Sequence, residues 1–400
     1  MQKRQITAAL MAAGIAANAA AQTTDQPVKI GVLGDLSSVY SDIGGKGLVD
    51  AARMAVEDFG GSVLGQPIAL IYTDTQSKAD IAASKARQWF DVEGVDMVTD
   101  LPASGLALAV SKLAEEKKKI VMVTSAATSE LTGKSCSPYT VHWTYDTYAL
   151  ARSTGAAVVK GGGDSWFFLS ADYAFGQALE KDTTDVINEL GGKVLGSARH
   201  PLGTADFASF LVQAQASKAK VVGLANGGQD TINSIKQAGQ FGVVKGGQQI
   251  AALLAFLTDV KAIGLPLAQG LLLTEAFYWD QTDDTRAWSE RFYKRNARMP
   301  TMTQAGTYGA VTHYLKAVKA VGSKDPDKVM AQMRAMPIDD FMTKGGKLRV
   351  DGRVVRDMYL YQVKSPAESK GEWDLYNVKA TTPGDVAFRS LAKSECRLAK

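Results

Sequence analysis

Three stretches of this 400-residue chain place small and hydroxyl-bearing side chains directly after apolar runs. They are Gly34-Asp35-Leu36-Ser37-Ser38 with Tyr40, then Asp100-Leu101-Pro102-Ala103-Ser104-Gly105, then Thr124-Ser125-Ala126-Ala127-Thr128-Ser129. Small side chains let a guest approach backbone N–H groups. Ser104 opens a helical pattern, and the positive end of a helix favours an anion. A carboxylate is the guest this chemistry suits. The competing use of Ser104, Ser125 and Thr128 is as helix caps and turn formers.

In the second half the equivalent stretches are Asp172-Tyr173-Ala174-Phe175, Asn226-Gly227-Gly228 and Thr274-Glu275-Ala276-Phe277-Tyr278-Trp279. Aromatic rings opposite a polar first half would form the apolar wall of a small-molecule cleft. For Phe175 and Phe277, ordinary core packing is the alternative. Catalytic chemistry finds little support. His142, His200 and His313 each lack a local metal-ligand or triad context, and no HExxH, Walker loop or correctly placed GxGxxG occurs. A non-enzymatic binder without cofactor or metal is expected.

The elements that must carry these stretches follow from periodicity. From Val28 onward, short apolar strands alternate with amphipathic helices. The first strands are expected at 28–33, 67–72, 95–99 and 120–123, with a strand-like link at 139–143. Leu48, Ala52, Ala55, Val56 and Phe59 recur at helical spacing between the first two, and Gly60-Gly61 stops that helix. Strand, helix, strand in this order implies parallel pairing through crossover helices. After a helix over 147–160, ended by Gly161-Gly162-Gly163, the alternation restarts with strands at 165–169, 193–198, 221–224, 249–254 and 270–273. Helices follow over 285–298, 303–321 and 326–336. A hairpin is expected from 347–350 to 358–363, and then an irregular tail. The fold class is therefore α/β, with two Rossmann-like doubly wound lobes. In open parallel sheets ligands bind beyond the carboxyl ends of the strands, which is where the hydroxyl and aromatic stretches fall.

Composition limits the remaining possibilities. Residues 1–21 carry Lys3 and Arg4, an uncharged Ala-rich run and a final Ala19-Ala20-Ala21, the layout of a cleavable export signal. No cysteine follows that run, so a lipid anchor is not expected, and the periplasm is the expected location. Removing Lys3 and Arg4 from the formal net charge of +4 leaves +2. The cations are scattered, which argues against nucleic acid. No later run approaches the ~18 apolar residues of a membrane span. Export permits a disulfide between the only cysteines, Cys136 and Cys396, and two unpaired thiols are the alternative.

Four segments in fixed order resemble the type I periplasmic binding proteins of the branched-chain amino acid class, which serve ABC importers. They are KIGVLGDLSSVYSDIGGKGLVDAARMAVEDF from Lys29, IVMVTSAATSELTG from Ile120, ADYAFGQALE from Ala171 and GLLLTEAFYWD from Gly270. The resemblance covers nearly all of 28–363. It implies two lobes joined by a three-crossing hinge, 28–145 with 278–350 and 146–277 with 351–380, plus a tail over 381–400. It further implies a monomer that closes on a solute and delivers it to an inner-membrane ABC permease. By matching position, Ser104, Ala126, Ala127 and Thr128 would hold the ligand carboxylate, with Tyr40 at the rim. Tyr173 or Phe175, Asn226 and Gly227 would contribute from the second lobe.

One departure bears on the cargo. Amino-acid-binding members offer an acidic residue to the ligand ammonium after the penultimate strand of the second lobe, where this chain reads Ala251-Ala252-Leu253-Leu254-Ala255-Phe256. An unpaired ammonium buried there would be costly. An aromatic or other non-amino carboxylate is therefore the expected ligand. The alternatives are a branched-chain or hydrophobic amino acid and, more remotely, a sensory role.

Overall fold

A computed structural model describes residues 26–400. The export signal read at 1–21 lies outside the described residues. The first sheet has six strands: β1 (Val28–Gly34), β2 (Ser62–Val63), β3 (Gln66–Asp74), β4 (Met97–Asp100), β5 (Ile120–Val123) and β6 (Thr140–His142), in the order β2-β3-β1-β4-β5-β6. All pairings are parallel except that of β2 with β3, a two-residue hairpin through Leu64 and Gly65, both at positive φ. β4 and β5 are buried along their whole length, as their continuous apolar runs require.

The second parallel sheet runs β10-β9-β7-β8, from β7 (Ser165–Ala171), β8 (Lys193–His200), β9 (Val221–Ala225) and β10 (Gln249–Ala252). Two expectations fail nearby. The strand expected at 270–273 is β11 (Leu272–Glu275). It joins no parallel sheet, and pairs antiparallel with a strand from the C-terminal region. The hairpin expected between 347–350 and 358–363 does not form. Instead β12 (Lys347–Leu348) pairs with β13 (Val354–Val355), while β14 (Met358–Val363) leaves to sit between β11 and β15 (Tyr376–Thr382). The physical reason is β15 itself. Its Tyr-Asn-Val-Lys-Ala-Thr-Thr sequence has weak alternation and an exposed outer face, so it reads as irregular, yet it supplies the partner that draws β14 away.

The helices Met302–Val321 and Pro326–Ala335 return to the first sheet and share a core with Val28, Ile30, Val32 and Val141. A second core gathers Leu169, Val222, Leu224, Leu273, Tyr361 and Tyr376 around the second sheet. The tail then comes back to the first sheet's side, where Cys396 and Cys136 form a disulfide. Among the described residues, no helix is long and apolar enough to cross a membrane.

Candidate functional site

The carboxyl ends of the two parallel sheets face each other across a narrow cavity of about 30 Å³. Tyr40, Ser104, Ser125, Ala127 and Tyr145 line it from one side; Tyr173, Phe175, Leu254 and Phe256 come from the turns after β7 and β10.

The turn after β1 is organised by Asp35. Its carboxylate accepts from the N–H groups of Ser37 (3.3 Å), Ser38 (2.7 Å) and Tyr40 (3.0 Å), and from the hydroxyls of Ser38 (2.6 Å) and Ser77 (2.7 Å). Five donors fix the loop that carries Tyr40, and they leave this carboxylate no free lone pair for a guest. The Tyr40 hydroxyl meets that of Tyr173, a contact that spans the cavity. Burial first, and then Tyr173, pushes the Tyr40 phenol well above its usual value, so it stays neutral.

The helix Ser104–Lys117 points its N-terminus at the cavity. Ser104 Oγ accepts from the Thr128 N–H at 3.2 Å, so the serine's own hydrogen remains available. The turn after β5 is held on both sides. The Ala126 N–H donates to the Leu101 carbonyl (3.0 Å), and the Ala126 carbonyl lies 2.8 Å from His142 Nε2. Burial, reinforced by Arg353, holds His142 well below its usual pKa, so the neutral ring donates through Nε2. The next residue, Ala127, lines the cavity, and its N–H has no protein acceptor among the described residues. Tyr145 donates to the Ser125 carbonyl at 2.7 Å and meets Phe256 edge-on, with ring centroids 6.2 Å apart.

The structure sorts the residues singled out by sequence. Tyr40, Ser104, Ala127, Tyr173 and Phe175 line the cavity. Ala126 and Thr128 stand behind it, and the Thr128 hydroxyl caps the turn Ser129–Thr132 by accepting from the Glu130 N–H at 3.4 Å. Asn226 is fully buried and spends its amide on His200 (3.1 Å) and Thr231 (2.8 Å). Gly227 is at the edge, where a Cβ would lie 3.4 Å from Leu254 and 3.7 Å from Phe175. Phe277 is a correction: it packs edge-on against Trp288 and Phe341 in the core, away from the cavity.

Sequence reasoning missed Asp35 as the loop's organiser, and it read Leu254 and Phe256 only as part of an apolar run at the ligand's ammonium end. β10 stops at Ala252, and Asp259 Oδ2 accepts the Phe256 N–H at 3.0 Å to start the next helix, which frees 253–256 to form the cavity's rim. A hydrophobic run that passes straight into a helix with an Asp at its third position was the available signal.

Neither acid that could replace the missing ammonium partner reaches the cavity. Glu275 lies inside β11, buried, accepting from the Tyr376 hydroxyl at 3.0 Å, and burial raises its pKa well above the usual range. Asp172 is half exposed, 3.7 Å from Arg199. Among the described residues, Asp35 is the one charged residue in the lining, and its oxygens are occupied.

The profile described as periplasmic binding protein matches residues 27–372. The chain belongs to this family. Among solved structures, a periplasmic binding protein from Burkholderia mallei is 53% identical, covers 94% of this chain and 99% of its own, and superposes with a TM-score of 0.92. A branched chain amino acid ABC transporter periplasmic ligand-binding protein from Burkholderia xenovorans is 43% identical, covering 93% and 100%, with a TM-score of 0.83. A solute-binding protein of an R. palustris ABC transporter in complex with benzoate is 19% identical over 93% of this chain and 100% of that one, TM-score 0.81, a likeness of fold alone. No curated protein matches. At family level this periplasmic binding protein is a solute-binding component of an ABC transporter with the type I fold, of the branched-chain amino acid class.

Proposed function

We propose that this binding protein captures a small non-amino carboxylate, with aromatic acids favoured, and hands it to an inner-membrane ABC permease. The observation that carries this reading is the cavity's inventory. Ser104 Oγ, the Ala127 N–H and the helix N-terminus at Ser104 offer donors to an anion, while Tyr40, Tyr145, Tyr173, Phe175 and Phe256 offer rings to an apolar body. Among the described residues no lining carboxylate is free to receive an ammonium, and burying an unpaired ammonium costs several kcal/mol.

Export through residues 1–21 places the protein in the periplasm in this reading. The lobes are 28–145 with 278–350, and 146–277 with 351–380, with the Tyr40 and Tyr173 hydroxyls meeting as they close. The mechanism is capture and release without chemical change.

A second reading, an amino acid ligand, draws on the relative from Burkholderia xenovorans. Thermal-shift screening separates the two. A ligand at a hundred times its Kd adds about 2.7 kcal/mol of stability. Benzoate and 4-hydroxybenzoate are expected to raise the melting temperature. Stabilisation by leucine or glutamate alone would refute the preferred ligand class.

A further inference from the structure

Behind the cavity wall stands a buried acid that neither the fold nor anion binding by Ser104 accounts for. Asp100 ends β4, is fully buried, and adopts φ +80°, followed by Leu101 at +65°. Two consecutive non-glycine residues in left-handed geometry cost free energy and persist only where surrounding structure imposes them. Here the Thr124 and Ser125 N–H groups both donate to the Asp100 carbonyl, at 3.1 and 3.3 Å, and the Leu101 N–H donates to the Leu33 carbonyl at 3.2 Å.

This geometry delivers the side chain to one partner. Asp100 Oδ1 is hydrogen-bonded to Ser125 Oγ, and Ser125 lines the cavity. Asp100 Oδ2 is buried with no partner among the described residues, in space that Gly34 leaves open; a Cβ there would lie 3.3 Å from it. The groups facing this pocket give a negative charge no support. Asp35 approaches from the turn after β1, and the Tyr145 phenol, from the segment after β6, is directed to the Ser125 carbonyl instead. Among the described residues no lysine, arginine or histidine lines the cavity. Burial, opposed by the Ser125 hydrogen bond and aided by Asp35, pushes the Asp100 carboxyl up to about 8.

We propose that Asp100 and Ser125 form a proton-linked donor switch, so that this protein binds its carboxylate ligand only while Asp100 carries a proton, taking that proton up wherever Asp100 is otherwise ionised. When Asp100 is protonated it donates to Ser125 Oγ, and the serine hydrogen is free for the ligand's carboxylate. When Asp100 is ionised it accepts that hydrogen, and Ser125 turns a lone pair toward the anion. The ligand therefore binds the protonated form. Affinity is full below the midpoint of Asp100 in the free protein and is lost as pH rises through it. This inference rests on the carboxylate reading of the site.

The test is calorimetric titration of 4-hydroxybenzoate across pH, in buffers of differing ionisation enthalpy. For wild-type protein the Kd is expected to rise about tenfold per pH unit above the Asp100 midpoint, with one proton taken up per ligand there. Asp100→Asn, whose amide donates to Ser125 at every pH, and Ser125→Ala, which removes the relay, are each expected to flatten the profile. A flat wild-type profile, or a slope that persists in D100N, overturns the switch. Should either variant fail to fold, the wild-type proton count decides by itself. Infrared titration of the free protein needs no ligand: a protonated carboxyl band at neutral pH that disappears in D100N supports the switch, and an Asp100 already ionised there overturns it. Failure of the carboxylate reading looks different, since no aromatic acid would then bind at any pH.

Discussion

Ser104 and Thr128 carry similar hydroxyls and are hydrogen-bonded neighbours in the fold, yet they do different work. Ser104 accepts from the Thr128 N–H and keeps its hydrogen for the cavity, whereas Thr128 caps the turn Ser129–Thr132 and stays behind the wall. Ser104→Ala is expected to weaken binding of 4-hydroxybenzoate by about 1–2 kcal/mol, measured by calorimetry. Thr128→Val is expected to cost about 1 kcal/mol of stability in denaturant melts and little affinity. The reverse assignment of these losses would move the anion site toward the 128 turn. The sequence showed hydroxyls after strand ends but not which of them were already engaged, because that depends on partners 24 residues away. Phe277 teaches the same lesson. An aromatic after a strand reads as wall, and only the position of Trp288 and Phe341 makes it core.

At the scale of elements, the loop after β1 is as important as any lining side chain. Asp35 gathers five donors and thereby fixes the position of Tyr40. Asp35→Asn would turn an amide NH₂ or carbonyl toward groups that are all donors. It is expected to destabilise the protein by about 3 kcal/mol in chemical denaturation and to weaken binding as well. Retention of both properties would show that the loop is held by packing alone. The parallel strands and their helices were legible because each is a local pattern of apolar residues at a fixed period. The three-stranded sheet of β11, β14 and β15 was not, since it joins segments that lie some ninety residues apart and its outer strand is exposed and weakly patterned. Helix Leu257–Ile263 had a comparable effect on the site. By ending β10 early it turned Leu254 and Phe256 into cavity wall.

For the whole molecule, closure and the tail are the features to test. Gly228 sits at φ +60°, where a Cβ would lie 2.9 Å from the Val39 carbonyl oxygen and 3.0 Å from the Tyr40 ring. Gly228→Ala adds a backbone penalty and obstructs the approach of the two sides. Small-angle scattering should then show less compaction on adding ligand than in wild type, and equal compaction would mean that the turn yields. The Cys136–Cys396 disulfide spans a sequence separation of 260 and ties the tail to the first sheet's side, while the Arg389–Asp182 ion pair at 2.9 Å ties it to the helix Ala174–Glu189. On the chain-entropy account removal of the disulfide costs about 5–6 kcal/mol, so Cys396→Ser should lower the unfolding midpoint markedly while leaving ligand affinity nearly intact.

The central claim concerns what fills the cavity, and one experiment addresses it most directly. Calorimetric titration of the protein on the acid side of neutrality, with 4-hydroxybenzoate, benzoate, leucine and glutamate in parallel and the bound compound recovered afterwards, compares the ligand classes under the same conditions. The account predicts saturable binding of an aromatic acid at one molecule per chain, recovered unchanged, with leucine and glutamate far weaker. Binding of leucine or glutamate with no response to either aromatic acid would contradict it.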